Sequence, residues 1–85
     1  MEPLPPGSRI DYEPHALDRM DEFSISELQV RETLEQPQTI RPALDRPPSE
    51  PCMIYLRPIG ERLCKVYVRL HSDPMLVATV RWHGE

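Results

Sequence analysis

His15 and Arg19 lie four residues apart in the run Pro14-His15-Ala16-Leu17-Asp18-Arg19-Met20. Pro14 suits the first position of a helix, where its missing N–H costs nothing, and residues four apart then share a face. An imidazole beside a permanent guanidinium can exchange a proton and hold a phosphate at the same place. A second set of candidates comes from the C-terminal half. Read with a period of two, its strand-like runs place Tyr55 and Arg57, then Lys65, Tyr67 and Arg69, then Thr79, Arg81 and His83 on one face. Ile54 and Leu56, then Cys64, Val66, Val68 and Leu70, then Leu76, Ala78, Val80 and Trp82 fall on the other, which helices must cover.

A phosphodiester cleaved by its own 2′-hydroxyl needs cations around the pentavalent transition state and a group that moves protons. Arg57, Lys65, Arg69 and Arg81 supply candidate cations, Tyr55 and Tyr67 candidate stacking surfaces for bases, and a His or Tyr the proton carrier. A competing account is equally physical. A one-sided sheet needs a polar face for solvent, and Tyr, Thr, Arg and Lys suit it. His15 and Arg19 likewise fit a helix-start imidazole bonded to a carbonyl, beside an Arg paired with Glu13 or Glu22. Both readings stay open at this level.

The elements that must position these residues follow from local signals. The first helix is expected from about Pro14 to Asp21, with Ala16, Leu17 and Met20 turned inward. Ser26 with Gln29 three residues on marks the start of a second helix, with Ser24 and Glu27 as the alternative cap; Val30 and Leu34 form its buried stripe and Pro37 ends it. Arg41 to Pro51 contains Pro42, Pro47, Pro48 and Pro51 and reads as a loop, after a short strand at Thr39 to Arg41. Three strands follow, about Met53 to Arg57, Arg62 to Leu70 and Met75 to Trp82, with turns short enough for antiparallel neighbours. Ile10 to Tyr12 either adds a strand or anchors the first helix. The expected fold is α+β: two N-terminal helices on one face of a three- to four-stranded antiparallel sheet. Residues 1–9 are read as a flexible Pro-rich lead-in and 10–85 as a single domain.

The order His15-Ala16, Arg19-Met20, Ile25-Ser26, Val30, Leu34, Pro37 and then an Arg-rich strand pair ending in Val77-Ala78-Thr79-Val80 resembles the DUF4258 family of small bacterial domains. The likeness runs from about Ile10 to Trp82. It implies the fold of RelE-like toxin ribonucleases and hence a metal-independent endoribonuclease acting on an exposed sheet face, with His15, Arg19, Lys65, Tyr67 and Arg69 as catalytic candidates. Tyr55, Arg57, Thr79 and Arg81 are then the substrate-binding candidates. An antitoxin laid over the cationic face is the implied partner. One departure stands out: where the family reads Arg-Gly before the Ile-Ser pair, this chain has Phe23-Ser24, which leaves any function of that Arg without its residue.

Size and composition bound the alternatives. An 85-residue chain holds one domain and one modest core. Residues 1–51 carry five Arg against eleven acids, and residues 52–85 four Arg and one Lys against three, so the strand half is mildly basic within a chain of net charge −4. That total argues against tight nonspecific nucleic-acid binding and favours a second class of function, a noncatalytic module binding protein or peptide through a sheet edge or the Arg-rich face. Homodimerisation through sheet edges is the third. Cys52 and Cys64 lack CxxC spacing and read as reduced, packed thiols; with His15, His71 and His83 they give no metal-ligand spacing, so neither metal nor other cofactor is expected. Gly7, Gly60 and Gly84 cannot build a phosphate loop. The start lacks a basic, then apolar leader and no run is long enough to span a bilayer, so a cytoplasmic protein without a membrane partner is expected.

Overall fold

The computed structural model describes residues 2–84. Five strands form one sheet in the order β1-β5-β4-β3-β2: β1 Ile10–Tyr12, β2 Thr39–Pro42, β3 Cys52–Ile59, β4 Arg62–Arg69 and β5 Met75–Trp82. Strands β2 to β5 are an antiparallel meander, while β1 lies parallel to the start of β5, with Ile10 opposite Met75 and Tyr12 opposite Val77. The helices-on-sheet architecture matches the expectation. The strand count and the purely antiparallel pairing do not: the sheet is mixed and five-stranded. A three-residue strand has no alternation to read, and its partner lies almost at the other end of the chain, so only chain closure reveals it.

Helix α1, Pro14–Phe23, starts with Pro14 in its first turn, as expected, and runs two residues further. Its end gives Ser24 a local role. Ser24 adopts the left-handed conformation at φ 56°, its N–H donates to the Asp21 carbonyl, and the Ile25 N–H donates back to Met20 at 2.9 Å. This is a Schellman stop, whose left-handed position favours glycine because a Cβ costs energy there. Ser24 holds that position without being a glycine. Helix α2, Glu27–Glu35, begins with the expected capping box, Ser26 Oγ accepting from the Gln29 N–H at 3.1 Å and Gln29 Oε1 accepting from the Ser26 N–H at 2.9 Å.

Both helices cover one face of the sheet. Ala16, Met20, Val30 and Leu34 pack there with Tyr55, Cys64, Val66, Val68, Val77, Val80 and Trp82. The expected lead-in is laid on the same layer: Leu4 is buried, its N–H donates to the Leu34 carbonyl, and Tyr55 Oη donates to the Glu2 carbonyl at 2.6 Å.

Two face assignments need correction. Tyr55 and Arg57 point to the helices, Tyr55 fully buried and Arg57 bonded to Glu32 and the Gln36 carbonyl of α2, whereas Ile54 and Leu56 face the opposite side. Met53-Ile54-Tyr55-Leu56 is apolar on both parities, so alternation alone cannot choose its phase. Register chooses: Tyr55 pairs with Val66, and Ile54 with Tyr67. The second correction comes from a β-bulge. Thr79 faces Tyr67 and Val77 faces Val68, leaving Ala78 as an extra residue that inverts the phase of the first half of β5. Val77 therefore enters the helix-side core in place of Leu76 and Ala78. The far face is not bare either. Ala43, Cys52, Ile54, Leu56, Tyr67 and Ala78 form a second buried cluster under the Pro-rich loop between β2 and β3. Cys52 and Cys64 lie in separate clusters and are free thiols.

Replacing Ser24 by Gly relieves the left-handed Cβ and should raise unfolding stability by about 1 kcal/mol in urea melts. Tyr55→Ala should cost about 3–5 kcal/mol, the penalty of a buried aromatic, and Tyr55→Phe about 1 kcal/mol for the lost hydrogen bond. A Tyr55 on a solvated face would instead change stability by less than about 0.5 kcal/mol.

Candidate functional site

Strand β1 covers only the first part of β5, and at its end the Glu13 N–H donates to the Val77 carbonyl at 3.0 Å. Beyond that point α1 takes over as the neighbour of β5, its main packing partner. His15 and Arg19 consequently stand beside the far half of β5. With Phe23 they form one wall of a cleft of about 340 Å³; Tyr67, Thr79, Val80 and Arg81 form its floor, and Asp45 and Arg46 of the β2–β3 loop its other wall.

The floor and loop are joined by a hydrogen-bonded triangle. Tyr67 Oη donates to Asp45 Oδ2 at 3.1 Å, and Arg81 Nη2 donates to the same carboxylate oxygen at 2.9 Å and to Tyr67 Oη at 2.8 Å. Tyr67 is only 2% exposed. The guanidinium carbons of Arg46 and Arg81 lie 5.6 and 5.4 Å from its ring centroid, within cation–π range. Burial pushes the Tyr67 phenol up despite Arg81, which keeps it protonated at neutral pH. For Asp45 burial acts upward, but the backbone hydrogen bond, Tyr67, Arg81 and Arg46 together bring its carboxyl below the ordinary value. The site holds a neutral phenol and a fixed anion.

The helix wall is weaker. Arg19 Nη1 donates to both oxygens of Glu22 at 2.8 and 3.0 Å, while its Nε lies 3.4 Å from His15 Nε2, a long contact that constrains the imidazole little. What fixes this wall is Arg69. Its guanidinium forms a two-pronged pair with Glu13, the residue that caps α1, Nε meeting Oε2 at 2.5 Å and Nη2 meeting Oε1 at 2.9 Å. The two side chains are each 26% exposed. Arg69 thus fastens the turn from which Pro14 and His15 depart. Its hydrogen bond is the largest influence on Glu13, holding that carboxyl below the ordinary carboxylate range.

Lys65 lies in a neighbouring hollow of about 260 Å³, lined also by Arg41, Leu44, Ile54 and, from its shared wall with the first, Asp45, Tyr67 and Arg81. Burial, then Arg81 and Arg41, lower its ammonium pKa.

This order of residues along one fold is matched by the family model described as a domain of unknown function, DUF4258, over residues 12–82. The chain belongs to the DUF4258 family. Comparison with curated proteins and with solved structures gave no match.

Within this DUF4258 domain, the structure gathers His15, Arg19, Tyr67, Thr79 and Arg81 in one cleft, puts Lys65 next door and Arg69 at the helix start, and turns Tyr55 and Arg57 to the opposite face. Phe23 lines the same cleft. Asp45, Arg46 and Arg41 were not among the sequence candidates, because they belong to a loop and an edge strand whose return over the sheet no local pattern signals. Tyr67 cannot stack on a base while the loop covers it. Among the described residues no cluster of His, Cys, Asp or Glu has the makings of a metal site, and no helix is long and apolar enough to cross a membrane.

Because the folded Glu13 carboxyl is depressed, its stabilisation is complete above the unfolded pKa and is lost as pH falls through the folded value; Asp45 acts with the same sign. Glu13→Gln should therefore lower neutral-pH stability by about 1–3 kcal/mol and flatten the acid limb of a melting-temperature profile below about pH 5. An unchanged acid limb would show that Glu13 is not the group that titrates.

Proposed function

We propose that the cleft binds and cleaves an RNA phosphodiester by internal attack of the 2′-hydroxyl. The observation that supports this reading is the convergence of His15 and Arg19 from α1, Arg46 from the loop and Arg81 from β5 on one cleft that contains a single carboxylate. His15, exposed and loosely held, takes the 2′-hydroxyl proton as the oxygen attacks phosphorus. The bond to the 5′-oxygen breaks, and that oxygen takes a proton from solvent water, leaving a 2′,3′-cyclic phosphate and a 5′-hydroxyl. Arg19, Arg46 and Arg81 face the charge that grows on the non-bridging oxygens. Arg81 has Nε and Nη1 to offer, since among the described residues its side-chain bonds to Asp45 and Tyr67 use Nη2 alone. Tyr67 and Asp45 orient Arg81, and Arg69 positions His15 through Glu13. The RelE-like fold that the DUF4258 resemblance implies would suit this chemistry, and it makes an antitoxin-like protein partner part of the same proposal.

The alternative is a noncatalytic interaction module of the same fold. Glu22 and Asp45 already neutralise Arg19 and Arg81, and Leu44, near the start of the loop, is 93% exposed. A protein ligand laid on the loop and the cationic face would use both features.

With purified protein and a mixed RNA, cleavage should appear on gels, persist in excess EDTA, and leave 2′,3′-cyclic ends. His15→Gln and Arg19→Gln should each abolish it while changing stability by less than about 1 kcal/mol, because both side chains lie outside the core and the Arg19 pair is surface-exposed. Full cleavage by both variants would remove the catalytic assignment. No cleavage by the wild type, together with a stable protein complex lost on Leu44→Asp, would move the assignment to the interaction module.

A further inference from the structure

Basic side chains are divided unequally over this molecule. Arg9, Arg19, Arg31, Arg57, Arg69 and Arg81 are each in an ion pair, and Arg62 stacks on Trp82. Arg41, Arg46 and Lys65, by contrast, have neither an ion pair nor a side-chain hydrogen bond among the described residues, and Arg46 Nε is buried without a partner. These three come from β2, the loop and β4, yet all border the Asp45-Tyr67-Arg81 triangle. Arg46 lines the first cleft; Arg41 and Lys65 line the second, and the triangle is the wall the two share. Lys65 and Arg81 are direct cross-strand neighbours. Like charges at that spacing repel, and Asp45 is the only carboxylate among the described residues that lines either cleft. Burial and the charges of Arg81 and Arg41 already disfavour the Lys65 ammonium, a cost that an incoming anion would reverse.

We infer that the second cleft is a further phosphate subsite, so that the ligand is a single-stranded polynucleotide crossing the loop, with one phosphate among His15, Arg19, Arg46 and Arg81 and a neighbouring one between Arg41 and Lys65. This rests on the reading of the first cleft as a phosphodiester site and extends it from one linkage to a strand. A lone inorganic phosphate or a dinucleotide fills one cleft only. A duplex is too wide and stiff to follow two small adjoining hollows, whereas a single strand turns at each linkage. Leu44, exposed on the rim of the second cleft, gives the intervening base an apolar surface to lie against.

Fluorescence anisotropy with 2′-O-methyl oligonucleotides, which bind but lack the attacking hydroxyl, tests this. The probes are a dinucleotide and a hexanucleotide, both without terminal phosphates. The hexanucleotide should bind at least about tenfold more tightly, with a steeper dependence on salt. The double variant Arg41→Gln/Lys65→Gln should lose that advantage and flatten the logarithmic salt slope by about 0.7 for each phosphate contact removed. The dinucleotide affinity of that variant should match the wild type, and so should cleavage of an unmodified dinucleotide by Arg41→Gln alone. Arg19→Gln should weaken both probes. If the double variant binds the hexanucleotide as the wild type does, or loses the dinucleotide equally, the second subsite is refuted while the first stands. If the wild type binds neither probe, the phosphodiester reading itself falls and takes the subsite with it. A poly-glutamate peptide that competes as well as the hexanucleotide overturns the assignment to a polynucleotide. Thermal melts of each variant establish that the folded protein is being measured.

Discussion

The latch formed by Tyr67, Asp45 and Arg81 is the interaction on which the rest of this small domain depends. Two helices can cover only one face of a five-stranded sheet, and the other face carries Ile54, Leu56, Tyr67 and Ala78. The Pro-rich loop covers it, held by one carboxylate bonded to a phenol and a guanidinium. Prolines suit this role because a loop with fewer accessible conformations loses less entropy when it is laid down. The same loop supplies a wall to each of two clefts. Stability of the second core and the shape of the site are therefore one problem, solved by the same residues.

Charge placement around the latch has a second consequence. Where an arginine has only a structural duty it is neutralised locally, as Arg57 is by Glu32 and Arg69 by Glu13. Around the latch the cations outnumber the carboxylates, and a compact fold tolerates that excess because the groups are partly exposed and water screens them. An acidic total charge is compatible with this. The acids lie chiefly on the helical half, away from the sheet face that carries the excess, so net charge and local field point in opposite directions.

Arg69 illustrates how a residue with the right chemistry acquires a different duty through its neighbour. Alternation placed it correctly on the face of Tyr67, but its guanidinium is saturated by both oxygens of Glu13. Its contribution is to hold the turn that aims His15. Phe23-Ser24 has a similarly local account: Ser24 makes the left-handed stop that favours glycine, while Phe23 gives the cleft an apolar wall opposite a loop that brings Arg46.

Features whose causes lie within a few residues were legible locally: Pro14 starting α1, the Ser26 and Gln29 capping box starting α2, the Pro-rich loop, the hairpin strands, and the placement of Cys64, Val66, Val68, Val80 and Trp82 under the helices. The His15 and Arg19 pair was legible for the same reason, because a helix puts residues four apart on one side. What required the tertiary structure was every relation without a local period. Strand β3 is apolar in both phases, so only its register against β4 decided that Tyr55 lies in the core. The bulge at Ala78 broke the alternation of β5. The parallel pairing of β1 with β5 closes the chain nearly end to end. Asp45, Arg46 and Arg41 join the site only because the loop folds back across the sheet, and that return is driven by burial of a whole face, a quantity no short stretch of sequence contains.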